Sequence, residues 1–158
     1  MITMELSDNL KKSNIILKPK STSRWELIAE MIDLAVRNKE VDSCDCEDLT
    51  KSLVDREKSM STGIGNGVAI PHCTTVKVQD IVYIMAIVPQ GMDFDSIDNQ
   101  PVKIVILILV PKSKLTQHIK TLAQIAKLMS NESLRNKLLT LKTPESVIKT
   151  IKEFESIT

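Results

Sequence analysis

Two apolar runs, residues 81–88 and 102–110, constrain what this chain can fold into more than any other feature. Both are rich in Ile and Val, and both end at chain-breaking residues: Asp80 and Pro89, Pro101 and Pro111. Neither alternates apolar with polar residues, so neither reads as a strand with one wet face. Runs of this length and composition mark strands covered on both sides. Helices must therefore lie above and below the sheet that holds them. At 158 residues the chain is long enough for one such domain with a substantial core. The expected fold is α/β: a single domain with a small mixed β-sheet flanked by helices on both faces.

The rest of the pattern supplies the remaining elements. Residues 14–17 read as a short first strand ended by Pro19, and residues 1–12 before it as a flexible N-terminal segment. Ser23 and Glu26 form a capping box. Behind it Trp25, Ile28, Ile32 and Ala35 make an apolar stripe to about Asn38. A second helix covers 47–58, acidic in its first turn and carrying Arg56 and Lys58 in its last, as the helix dipole favours. Its Leu49 and Leu53 share a face. Val68, Ala69 and Ile70 read as a short buried strand ending at Pro71 and His72. Residues 90–101 have the Gly, Asp, Asn and Pro chemistry of a turn-rich connection. Three helices finish the chain. The first covers 115–129, with Leu115, Ile119, Leu122, Ala126 and Met129 as its expected inner face. The second begins near Asn131, with Leu134 and Leu138 inward. The third has Thr143 as cap and Pro144 at its first position, presenting Val147, Ile151 and Phe154.

Between the second helix and the short strand lies a glycine-rich loop that ends in one of the two histidines, His72. Gly63, Gly65 and Gly67 are three of only four glycines in the chain. Glycine collects where the backbone needs positive φ or must come close to a ligand, so the loop reads as built to receive something at His72. A nucleotide site is excluded by context, because a Rossmann fingerprint needs a strand before its glycines and a helix after them. Here the order is reversed, and no Gly-Lys-Ser/Thr is present for a P-loop. Cys73 beside His72 is not a nucleophile–base pair, since neighbours on a strand point to opposite faces. It reads as a small buried residue. A metal on His72 and His118 lacks a third ligand, and Cys44 and Cys46 lack the partners zinc needs. No metal is expected.

His118 stands in the first turns of its helix, on the edge of the apolar stripe. It reads either as a half-buried helix histidine that satisfies itself by hydrogen bonding, or as a neutral hydrogen-bonding group. The helix N-terminus favours the uncharged imidazole.

Composition narrows the partners. Only 3% of residues are aromatic, which disfavours binding single-stranded nucleic acid by base stacking. The net charge is +1 with signs interspersed, so no field selects DNA or an anionic membrane. The apolar runs are less than half a membrane span. The N-terminus lacks a signal-peptide core, and three unpatterned cysteines are no disulfide framework. The protein is expected to be cytoplasmic, without nucleic-acid binding or membrane insertion.

One stretch carries a resemblance. Glu57, six residues, then Ile64-Gly65-Asn66-Gly67-Val68-Ala69-Ile70-Pro71-His72-Cys73 resembles the signature of the type-2 enzyme IIA domains of the bacterial phosphoenolpyruvate-dependent phosphotransferase system. That class comprises the fructose, mannitol and nitrogen-regulatory enzymes IIA. Residues 91–102 are similar to the family's segment before its long central strand, and the resemblance extends over nearly the whole chain. It implies that His72 accepts a phosphoryl group on Nε2 from the phosphocarrier HPr and passes it on, in the sugar branch to a cysteine of an enzyme IIB. It places His118 at the family's second active-site histidine and Arg56, sixteen residues before His72, at its active-site arginine. Phosphoryl transfer chiefly needs positioning and charge compensation. Arg56 brings a planar cation, and Thr62, Gly63, Gly65, Asn66 and Gly67 are expected to support the phosphate with backbone donors. No cofactor is implied. A single IIA-like unit without IIB or IIC partners favours the nitrogen-regulatory branch over sugar transport. In a further reading, the unphosphorylated form docks on a regulatory target and His72 acts as a switch.

Overall fold

The computed structural model describes residues 5–157 of the chain. Its elements in order are α1 (Leu6–Asn9), β1 (Ile15–Ile16), α2 (Arg24–Arg37), α3 (Cys46–Ser59), β2 (Gly63–Gly65), β3 (Val68–Ala69), β4 (His72–Thr75), β5 (Val82–Met92), β6 (Val102–Pro111), α4 (Leu115–Met129), α5 (Glu132–Leu138) and α6 (Pro144–Glu155). The two apolar runs become β5 and β6, the antiparallel centre of a six-stranded mixed sheet ordered β1-β5-β6-β3-β2, with β4 also on β6.

Both faces of these strands are buried, as their composition requires. Val82, Ile84, Ala86, Val105, Leu107 and Leu109 point into one cluster with Leu27, Ile28, Met31 and Ile32 of α2 and Leu49 and Leu53 of α3. Tyr83, Met85, Ile87, Ile104, Ile106 and Ile108 point into a second, with Ile125 and Leu128 of α4, Leu134 and Leu138 of α5, and Val147 and Ile151 of α6. The period-two alternation of a strand thus separates two cores.

Local signals act where expected. Ser23 Oγ accepts the Glu26 N–H at 3.2 Å to cap α2. Asn131 and Thr143 side chains do the same for α5 and α6, from Leu134 and Ser146. Three readings change. Trp25 is only half-buried, lying against the Arg24 and Lys58 cations rather than in the core. The inner face of α4 is rotated: His118, Thr121, Ile125, Leu128 and Met129 are buried, while Leu115 is 54% and Ile119 65% exposed. The segment read as flexible is docked over its described part. Leu6 and Leu10 are buried, and the Glu155 carboxylate accepts the Leu6 N–H at 2.7 Å and the Ser7 hydroxyl. Residues 1–4 of that segment lie outside the described residues.

Candidate functional site

Register carries His72 to its place. Val68 and Ala69 pair with Ile104 and Val105, and the same parallel register resumes after Pro71 with His72 opposite Ile108 and Cys73 opposite Leu109. The strand read as ending at His72 therefore restarts there as β4. Pro71 has no N–H to give, but its carbonyl accepts from Ile108 at 2.9 Å, which holds the break against β6. Alternation then sends the His72 side chain to the α4 face of the sheet, while Cys73 packs on the α2–α3 cluster.

Three groups fix the imidazole. Its Nδ1 lies 2.7 Å from the Ile70 carbonyl, which can only accept, so Nδ1 carries the proton. Its Nε2 lies 3.1 Å from Arg56 Nη2, and guanidinium can only donate, so Nε2 presents its lone pair. The His118 ring stands with its centroid 5.2 Å from that of His72, tilted by 51°. Arg56 comes from the last turn of α3 and His118 from the first turn of α4, one from each helix layer. The layers meet around the outer edge of the sheet, where β4 has no further strand beside it among the described residues.

Burial lowers the His72 pKa below its ordinary 6.5; the Arg56 charge adds to the shift and the Ile70 hydrogen bond opposes it. Burial also lowers that of His118, followed by the proximity of His72 and Arg56. His118 is only 6% exposed, and its Nδ1 has no hydrogen-bond partner among the described residues. The reading of a helix histidine satisfied by hydrogen bonding is thus not met at that nitrogen. Both rings are neutral near pH 7. Burial pushes the Cys73 thiol up to about 11, so it is a protonated, unreactive neighbour. Cys46 is half-buried with its thiol 3.4 Å from Asp33, and Cys44 is exposed.

Two grooves open on His72. One, of about 360 Å³, is walled by Arg56, Met60, Thr62, Ile64, Leu122 and Ala126. The other, of about 330 Å³, is walled by Arg56, Thr74, Leu115 and His118. Of the loop residues expected to support a phosphate, Thr62 lines the first groove. Gly63, Gly65, Asn66 and Gly67 line neither. Their backbones build a hairpin: Gly65 at the end of β2 and Asn66 and Gly67 in the turn to β3 have φ of +96°, 59° and +76°. The Asn66 N–H is taken by the Asp98 carboxylate at 3.0 Å, and a Cβ on Gly63 would run into Ser96 Oγ. The glycines serve the turn and close packing, and the site receives their effect through the strand they position.

The sequence did not reveal the apolar rim. Met60 is 75% exposed and Ile64, Leu115 and Ile119 are also exposed around the grooves or beside them on α4. Helical spacing alone assigned Leu115 and Ile119 to the core. Glu57 stood in the signature without a role; its side chain is buried at 2% exposure and accepts from Thr62.

The chain and its fold are similar to those of known proteins. Residues 8–154 match the family described as "Phosphoenolpyruvate-dependent sugar phosphotransferase system, EIIA 2". The chain is 30% identical over 134 residues to the nitrogen regulatory protein of Pseudomonas aeruginosa, covering 85% of this chain and 86% of that one. It is 32% identical over 133 residues to the fructose-specific EIIA component of Haloferax volcanii, covering 84% and 85%. The crystal structure of nitrogen regulatory protein IIA-Ntr from Neisseria meningitidis superposes with a TM-score of 0.84 at 30% identity, over 92% of this chain and 98% of that one. With 86% and 85% of the two relatives covered and the family match spanning residues 8–154, this chain belongs to the type-2 EIIA family of the phosphoenolpyruvate-dependent sugar phosphotransferase system.

Proposed function

We propose that the protein is a phosphoryl carrier that takes its phosphoryl group from phospho-HPr on Nε2 of His72. The observation that carries this reading is the pair of contacts on the ring: a carbonyl on Nδ1 and a guanidinium on Nε2 keep the proton on Nδ1 and leave Nε2 unprotonated beside the grooves. In the transfer, Arg56 exchanges its hydrogen bond to Nε2 for the phosphoryl oxygens, the freed Nε2 lone pair attacks the donor's phosphorus and an Nε2–P bond forms. The donor's own P–N bond breaks, and its electron pair returns to the donor nitrogen. The proton on Nδ1 stays on that nitrogen, donated to the Ile70 carbonyl, so the ring becomes an imidazolium bearing the phosphoryl group. The phosphoryl oxygens carry about −1.5 to −2 of charge at pH 7, which Arg56 meets and for which His118 supplies a second nitrogen. The apolar rim of Met60, Ile64, Leu115 and Leu122 is suited to docking a protein donor around the reacting atoms. No described helix is long and apolar enough to cross a membrane, which is consistent with a cytoplasmic carrier.

We assign the carrier to the nitrogen-regulatory branch, which acts on a regulatory target protein. The similarity to the Neisseria and Pseudomonas nitrogen regulatory proteins supports this. The comparable identity to a fructose-specific EIIA component supports a second reading, transfer to an enzyme IIB cysteine. Incubation with phosphoenolpyruvate, enzyme I and HPr should yield one acid-labile, base-stable phosphoryl group per chain, absent in His72→Ala. Full labelling of His72→Ala would refute the assignment of the residue. Rapid discharge of the labelled protein by a fructose-class enzyme IIB would favour the sugar branch.

A further inference from the structure

We propose that Glu57 is a positioning residue for His72, acting through Thr62 and Ile70 to keep the Nδ1-protonated ring aimed with Nε2 into the grooves. The inference rests on the phosphoryl-carrier reading for its effect on rate, but its geometric core does not. The Glu57 side chain is buried at 2% exposure, and a buried carboxyl group needs partners. Its Oε2 accepts the Thr62 N–H at 2.7 Å, and its Oε1 accepts the Thr62 hydroxyl at 2.7 Å and the same N–H at 3.3 Å. The Thr62 carbonyl in turn accepts the Ile70 N–H at 3.0 Å. The Ile70 carbonyl accepts the His72 Nδ1–H at 2.7 Å. Four residues are thus linked by successive hydrogen bonds from a buried carboxyl group to the proton of the reactive ring.

The series matters because of where the sheet is weakest. Between β3 and β4 the chain passes through Ile70 and Pro71. On the β6 side it is held by the Pro71 carbonyl; on the outer side the Ile70 N–H finds the carbonyl of Thr62. Thr62 precedes β2, a three-residue edge strand that cannot define its own position strongly. Glu57 supplies that definition from a helix of fourteen residues. Arg56, the adjacent residue of the same helix, touches Nε2. The partners of both ring nitrogens therefore trace to one turn of α3, and the ring is held from two sides by neighbouring residues of a single helix. A ring that rotates, or that moves its proton to Nε2, loses the nucleophilic lone pair.

The test is nitrogen NMR of the His72 ring in the unphosphorylated protein, combined with thermal melting and phosphoryl acceptance from phospho-HPr. Wild type should show a single tautomer with a protected Nδ1–H. Glu57→Gln and Thr62→Val should remain folded, show mixed tautomers with an exchanging Nδ1–H, and accept phosphoryl on the order of tenfold more slowly at saturating donor, with KM little changed. Thr62→Ser, which keeps the hydroxyl and the N–H, should restore both readouts. A folded Glu57→Gln or Thr62→Val variant with the wild-type tautomer and rate overturns the proposal, as does a wild-type ring protonated on Nε2. If Glu57→Gln does not fold, Thr62→Val against Thr62→Ser decides. If His72 takes no phosphoryl group at all, the carrier reading fails while the tautomer readout still judges the role of Glu57.

Discussion

Arg56 is exposed, its backbone ends a helix, and its side chain meets a single nitrogen at 3.1 Å. Such a residue adds little to folding, since exposed helix-terminal charges contribute about 0.3–1 kcal/mol, but in the proposed transfer it stands where phosphoryl charge develops. Arg56→Ala should melt close to wild type and lose on the order of a hundredfold in phosphoryl acceptance, as for removal of one donor to a developing oxyanion. Arg56→Lys keeps the charge without the planar fork and should recover part of the rate. Rates from phospho-HPr beside melting curves check this; wild-type transfer by Arg56→Ala would return the residue to the solvated surface. The two histidines make a prediction about pH. Both have folded pKa values lowered from 6.5, chiefly by burial. The unfolded chain therefore binds more protons than the folded one just below pH 6.5. Their contribution to stability is complete above that pH and is lost as pH falls through it toward the folded values. Urea unfolding between pH 7.5 and 5.5 should show this decline, and His118→Gln should flatten it.

At the scale of elements, α4 shows how an amphipathic stripe can be misplaced. Leu115, Ile119, Leu122 and Ala126 lie at helical spacing, and so do His118, Thr121, Ile125 and Leu128; periodicity alone does not choose between two faces when both carry apolar residues. Packing on Ile106 and Ile108 of β6 selected the second set. Leu115 and Ile119 were left exposed on the side of the histidines, where the proposed docking of a donor would use them. Ile125→Ala should therefore cost about 2–5 kcal/mol, whereas Ile119→Ala should change stability by no more than about 0.5 kcal/mol while raising KM for the phosphoryl donor. Denaturant titration and donor saturation curves separate the two. The capped helices α2 and α6 were readable because a cap is local chemistry: Ser23 and Thr143 each satisfy an N–H within three residues.

At the scale of the whole molecule, two cores are joined through the same strands, because β5 and β6 contribute alternate side chains to each. Unfolding should accordingly be one cooperative transition. Ile32→Ala in the first cluster and Ile151→Ala in the second should each lower it by about 2–5 kcal/mol without splitting it. Two calorimetric peaks in either variant would contradict the shared-strand account. The sequence by itself determined the two-sided central strands, the capped helices and the glycine-rich loop that leads to His72, because each depends on residues near in the chain: an unbroken apolar run, a cap, a signature ending in Pro71-His72. It also named Arg56 and His118, through family resemblance rather than through any local property of those residues. Only the tertiary structure decided what the glycines do, turning them into a hairpin whose amide at Asn66 is spent on Asp98, thirty-two residues away. Only it decided which face of α4 is buried, and that Glu57, Thr62 and Ile70 lead to the His72 proton. Those outcomes depend on register and on layers packing across the sheet, and distances between residues far apart in the chain are set by the assembled fold.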